Sequence, residues 1–174
     1  MIIRAGYLID CEGNVTENPH LRALKGHITS AGPLEQESGV TEEVVDLGEH
    51  SVLLPGLVNA HTHLELSLAG RAVAPQERFT DWIRSVIRAT TEWDERRYNE
   101  SLREGIRSSI GSGTTLVGDI VRQADESVYL DYPLQATLFL EVIDFNPRTA
   151  ETTCSALKNR LKRQASTERV RVGV

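Results

Sequence analysis

Up to residue 51 the apolar positions come in short alternating bursts; beyond it they change period. Ile2 to Ile9, Leu24 to Ala31 and Val44 to Leu47 read as β pieces, separated by turn-forming text such as Cys11-Glu-Gly-Asn and Ala31-Gly-Pro. They predict a small antiparallel sheet. After residue 51, strand-like runs alternate with stretches whose apolar residues recur every three or four positions, the pattern of parallel β/α units. Leu53 to Ala60 reads as a buried strand. Phe79, Trp82, Ile83, Val86 and Ile87 form a helical stripe with Thr80 as its N-cap. Asp94 caps a second helix carrying Tyr98, Leu102 and Ile106, which Gly111 and Gly113 end. A strand over Thr114 to Val121 follows at once.

A short amphipathic piece at Glu126 to Leu130 leads to a strand over Leu134 to Ile143, after which Pro147 breaks the chain. The next helix, Thr149 to Ala165, is expected to turn Cys154, Leu157 and Leu161 inward. Its solvated outer face would carry Lys158, Arg160, Lys162 and Arg163. Val170, Val172 and Val174 alternate into a further strand. Four strands with crossovers make about half of a closed (β/α)₈ barrel, which takes eight strands in roughly 250 residues. A parallel sheet with open edges is a poor endpoint, so the expectation is the front of a longer enzyme, with a boundary between 1–51 and 52–174.

Composition narrows the function classes. The chain has 174 residues, room for one ordinary domain or a small domain plus part of a larger one. Nineteen basic against 25 acidic residues give a net charge of -6, which argues against a nucleic-acid partner. With 40% hydrophobic and 25% charged residues the chain reads as a globular protein. Cys11 and Cys154 stand far apart without a C-x-x-C motif, which predicts a reducing, cytoplasmic setting. The start lacks a basic segment followed by a long apolar one, and Pro55 breaks the longest apolar run, so neither secretion nor a membrane span is expected.

The candidate chemistry sits at the end of that run, in His61-Thr62-His63. Alternate residues of a strand share a face, so both imidazoles project to one side and can grip one divalent ion. A catalytic zinc ordinarily takes three protein ligands and keeps a position open for water, so the set is incomplete. His20, His27 and His50 lie in the N-terminal sheet region, where packing or surface roles are expected.

Leu54-Pro-Gly-Leu-Val-Asn-Ala-His-Thr-His-Leu-Glu-Leu-Ser resembles the first barrel strand of the amidohydrolase superfamily, in its branch of cytosine, guanine and adenosine-type deaminases and chlorohydrolases. Gly111-Ser-Gly-Thr-Thr-Leu-Val-Gly-Asp-Ile is similar to the second strand with its glycine turn, and Phe139-Leu-Glu-Val to the third. Gly26-His-Ile-Thr-Ser-Ala-Gly-Pro and Val45-Asp-Leu-Gly look like the family's N-terminal sandwich. The His-Thr-His-Leu-Glu-Leu-Ser text followed by Phe79-Thr-Asp-Trp-Ile-Arg-Ser-Val-Ile resembles aminofutalosine-type deaminases.

The resemblance implies an α/β fold: part of a small β-sandwich over 1–51, then the first half of a (β/α)₈ TIM-type barrel over 52–174. It makes His61 and His63 the first two ligands of Zn²⁺ or Fe²⁺. It puts the remaining ligands, and the catalytic carboxylate and histidine, on strands beyond residue 174. Water activated by the metal would attack a ring carbon and release ammonia from an aminopurine or nucleoside-like small molecule, or halide from a related ring. Glu65 would face the substrate, or else be a solvated loop carboxylate. Trp82 would line a pocket, although its place on the apolar stripe favours core packing. Asp119 and Glu141 stand near the C-terminal ends of their strands, where barrel enzymes build sites; ion pairing or loop capping explains them equally. The alternative is a non-catalytic half-barrel that pairs with another subunit, or with its own copy as a homo-oligomer.

Overall fold

The apolar run at the start of the chain forms two strands in different sheets. In the computed structural model, which describes residues 1–33, 42–163 and 167–173, β1 (Ile2–Arg4) and β2 (Tyr7–Ile9) part at Ala5–Gly6. The backbone oxygen of Glu49 occupies the place that a side chain at position 6 would need, so the chain passes only because Gly6 has none. β3 (Val15–Glu17) pairs antiparallel with β2, and β4 (Pro19–Leu24) with β5 (His27–Pro33) forms a hairpin where one piece, Leu24 to Ala31, was expected. β6 (Val44–Asp46) runs parallel to β1, and β7 (Val52–Leu53) parallel to β2. The sheets have the orders β5-β4-β1-β6 and β3-β2-β7 and are mixed, where the turn signals predicted antiparallel pairing alone. Turns report local hairpins; they say nothing of a return by residues 44–53. These strands make up the compact unit Met1–Pro55.

The second unit, Gly56–Val174, is built on a parallel sheet. Its elements are β8 (Leu57–Thr62), α1 (Phe79–Thr90), α2 (Glu95–Gly111), β9 (Thr114–Val121), β10 (Gln135–Leu140), α3 (Ala150–Arg163) and β11 (Val170–Gly173). The strand order is β11-β10-β9-β8. The central strands bury alternate residues: Val117, Asp119 and Val121 of β9, and Ala136, Leu138 and Leu140 of β10. Leu102 and Ile106 of α2, with Val128 and Tyr129 of a 3-10 turn over Glu126–Asp131, join this core. β8 is an edge strand and is exposed from Leu57 to His61, so the expected buried strand at Leu53 to Ala60 is corrected in both burial and bounds. An unbroken apolar run reads as buried; it does not tell which strand ends a sheet.

α2 starts as predicted, with Asp94 Oδ1 accepting the Arg97 N–H at 2.8 Å. α1 does not, because Phe79 is already helical and Thr80 lies inside the first turn; Arg78 holds the cap position without a capping hydrogen bond from its side chain. On α3, Leu157 and Leu161 pack against the core while Cys154 is exposed. The expected end of that helix at Ala165, and Val174, lie outside the described residues. Among the described residues no helix is long and apolar enough to cross a membrane.

α2 seats closely on the chain just after β8. A Cβ at Gly105 would stand 2.3 Å from Ser67 Oγ and 2.8 Å from the Leu64 carbonyl oxygen. Replacing Gly105 by Ala ought to help an isolated helix by about 1 kcal/mol, but the backbone clash reverses the sign. A net loss of about 1–2 kcal/mol is expected by denaturant unfolding, as for an overpacked core. An unchanged or raised midpoint would show that α2 does not press on this segment.

Candidate functional site

The exit of β8 is shaped by its pairing with β9. Asn59 pairs with Val117 and Thr62 with Asp119, three steps on one strand against two on the other, so β8 carries an extra residue. The chain then tightens into a 3-10 turn over Leu64–Leu66, closed by the Leu66 N–H on the His63 carbonyl at 2.9 Å. His61 and His63 stand on this exit, with imidazole centroids 5.5 Å apart and planes at 69°. Two imidazoles bound to one tetrahedral zinc at about 2.0–2.1 Å would have ring centres roughly 5 Å apart. The pair therefore fits as two donors of a divalent metal site. Among the described residues, no group of three or more His, Cys, Asp or Glu side chains completes one.

Both imidazoles open into a cavity of about 700 Å³. Phe79, Trp82, Ile83, Val86 and Ile87 of α1 form its apolar wall, and Glu65, Arg122, Gln123 and Glu141 supply polar groups. Trp82 is 41% exposed and lines the cavity, where core packing was favoured for it; Phe79 is 72% exposed, while Val86 of the same stripe is buried. Helical period marks an apolar face without saying what covers it. The two rings lie against each other at 5.6 Å. Glu141 follows β10, is half-buried, and donates its backbone N–H to the Val121 carbonyl at 2.9 Å.

Two further carboxylates lie beneath the surface. Glu65 is 4% exposed, and its Oε2 accepts the backbone N–H groups of Arg122, Gln123 and Ala124 at 3.2, 2.9 and 2.9 Å. It is not a solvated loop residue. Arg160 holds the same loop from α3, donating to the carbonyls of Arg122 at 2.7 Å and Ala124 at 3.1 Å and pairing with Glu126. This removes Arg160 from the solvated face on which the helical pattern placed it. Asp119 is fully buried: Oδ1 accepts the Leu64 N–H at 2.8 Å and Oδ2 accepts the Tyr129 hydroxyl. Sequence reasoning missed Arg122 and Gln123, although they follow β9 just as Glu141 follows β10. It missed Tyr129 because nothing local links that residue to Asp119.

The profile of the Amidohydrolase family matches residues 52–174. An aminodeoxyfutalosine deaminase from a Nitratiruptor species is 32% identical over 128 residues, covering 73% of this chain and 31% of that protein. A 5'-deoxyadenosine deaminase from Methanopyrus kandleri is 30% identical over 148 residues, covering 80% of this chain and 30% of that protein. Among solved structures, atrazine chlorohydrolase from Arthrobacter aurescens complexed with zinc superposes with a TM-score of 0.76 at 17% identity. That match covers 99% of this chain and 46% of the other, and shows a shared fold. The chain thus spans about a third of the length of these curated relatives.

The charge on Asp119 has a thermodynamic consequence. Burial pushes its carboxyl up to about 7, and the neighbouring Glu65 charge adds to this, against the hydrogen bonds from Tyr129 and Leu64 that favour the anion. Burial and the Asp119 charge likewise push the Tyr129 phenol up. An unfolded Asp titrates near 3.8, so between these values the folded chain holds more protons than the unfolded one. This contribution to stability is whole below about pH 4 and is lost as pH rises toward about 7. Asp119→Asn cannot ionise and should flatten that part of the curve. Denaturant midpoints of the metal-free chain at several pH values test it; an equal fall in both proteins would contradict the assignment.

Proposed function

Because the chain belongs to the amidohydrolase family, we propose that it is the metal-binding front portion of a hydrolase that deaminates an aminopurine or nucleoside-like small molecule. The observation that carries this is the His61–His63 pair, two imidazoles 5.5 Å apart on the wall of an apolar cavity. The similarity to an aminodeoxyfutalosine deaminase and a 5'-deoxyadenosine deaminase supports the substrate class, and the fold shared with a zinc-complexed chlorohydrolase supports the metal. On this reading β8 to β11 with their helices are the first half of a (β/α)₈ barrel, and the strands of 1–55 are part of a small β-sandwich.

His61 and His63 would hold Zn²⁺ or Fe²⁺, which when bound supplies Lewis-acid activation of water. The chain's own residues bind and orient. Phe79 and Trp82 offer flat apolar surface for a planar ring, and Glu141 offers a carboxylate that can accept from an amine or hydroxyl. In the reaction the oxygen of water bonds to the ring carbon while a general base takes a proton from it, the bond from that carbon to the exocyclic nitrogen breaks, and ammonia leaves with the proton that the base, now a general acid, returns. The catalytic acid and the remaining ligands would come from residues additional to these. The setting is proposed as cytoplasmic, in keeping with two exposed free cysteines.

A second reading, a non-catalytic half-barrel that pairs with another subunit or its own copy, draws on Leu57 and Val58, 55% and 63% exposed on the open β8 edge. The present proposal predicts that these 174 residues alone take up zinc weakly, lose it when either His61 or His63 is replaced by Ala, and release no ammonia from aminopurine nucleosides. Zinc uptake unchanged by both substitutions would contradict the ligand assignment. Tight stoichiometric metal with robust ammonia release would contradict the incomplete ligand set.

A further inference from the structure

Two side chains in this unit are better explained by the histidine pair than by the core. The buried row of β9 reads Val117, Asp119, Val121, and an apolar residue at its middle would pack as well without the cost of a buried carboxyl. What an apolar residue cannot do is accept a backbone N–H. Asp119 Oδ1 accepts that of Leu64, the residue directly after His63, at 2.8 Å. Fixing the peptide plane between 63 and 64 limits where the Cα–Cβ bond of His63 can point. Tyr129 donates to the other oxygen and so stops the carboxyl from rotating away.

Glu65 makes the reverse tie. It leaves the chain two residues after His63 and gathers three consecutive N–H groups from the loop that follows β9. Asp119 thus reaches from β9 to the exit of β8, and Glu65 from the exit of β8 to the exit of β9. Arg160 holds the carbonyls of the same loop, whose Arg122 and Gln123 line the cavity with the imidazoles. We propose that Asp119 and Glu65 are positioning residues for the His61–His63 pair, a cross-tie of two buried carboxylates that holds both imidazoles convergent before a metal arrives. This rests on the reading of His61 and His63 as ligands. The pair then loses little freedom on binding, and affinity depends on side chains that never touch the metal.

Cobalt(II) uptake by the whole chain, followed by its visible absorption, separates the claims. Asp119→Leu fills the row but removes the acceptor; Asp119→Asn keeps an acceptor oxygen. Asp119→Leu is expected to bind at least about tenfold more weakly, the range for lost outer-shell partners, with an altered absorption band, while Asp119→Asn retains most of the affinity. Near-UV circular dichroism reports whether each is folded. A folded Asp119→Leu chain with unchanged affinity and band overturns the proposal. Should that variant fail to fold, Glu65→Met decides, because it keeps the length of the side chain and removes the acceptor of the three N–H groups: weaker cobalt binding supports the cross-tie, and unchanged binding overturns it. His63→Ala is the control. If it retains cobalt, the ligand reading fails and the cross-tie with it; if it loses cobalt while folded Asp119→Leu does not, the cross-tie alone fails.

Discussion

One hydrogen bond, from the Leu64 backbone N–H to the buried Asp119 carboxyl, links the sheet to the proposed site. β8 is an edge strand, paired on one side to β9 and exposed over most of its length. Such a strand has few means to fix its own end. The bulge between Asn59 and Thr62 and the turn at Leu64–Leu66 would leave the histidines loosely placed without a tie to the interior. The tie is supplied by the central strand, and the close seating of Gly105 under Leu64 supports it from below.

The energetic logic is that of a polar network inside an apolar layer. Three backbone N–H groups converging on one oxygen of Glu65 would be costly to bury without an acceptor, and the carboxylate would be costly to bury without donors. Each satisfies the other. Asp119 is less well compensated, and its raised pKa records the shortfall. A chain selected only for stability would have little reason to keep an acid there. Its presence there, bonded to the residue after His63, links the packing of this unit to the proposed site.

Much of the frame was legible in the residues. The glycines at 111 and 113 that end the helix placed β9 over Thr114–Val121, Asp94 declared the start of α2, and the text around His61 and His63 pointed to the family that the matched region bears out. What could not be read was mostly non-local. The split of Ile2 to Ile9 depends on Glu49, and the role of Glu65 depends on amides 57 to 59 residues away. Trp82 shows a different limit: its stripe was seen correctly, but an apolar face looks the same whether it meets a core or a cavity. Arg160 shows the converse, a cation assigned to solvent by helical period that in fact holds the loop after β9.

On the proposed reading, the exit of β8 presents two imidazoles to one divalent ion. Zinc K-edge X-ray absorption on the zinc-loaded chain tests it most directly, because imidazole rings leave a multiple-scattering signature that other ligands lack. Two imidazoles are expected at about 2.0–2.1 Å, with oxygen completing the shell. A shell without imidazole, or one containing sulfur from Cys11 or Cys154, would contradict it.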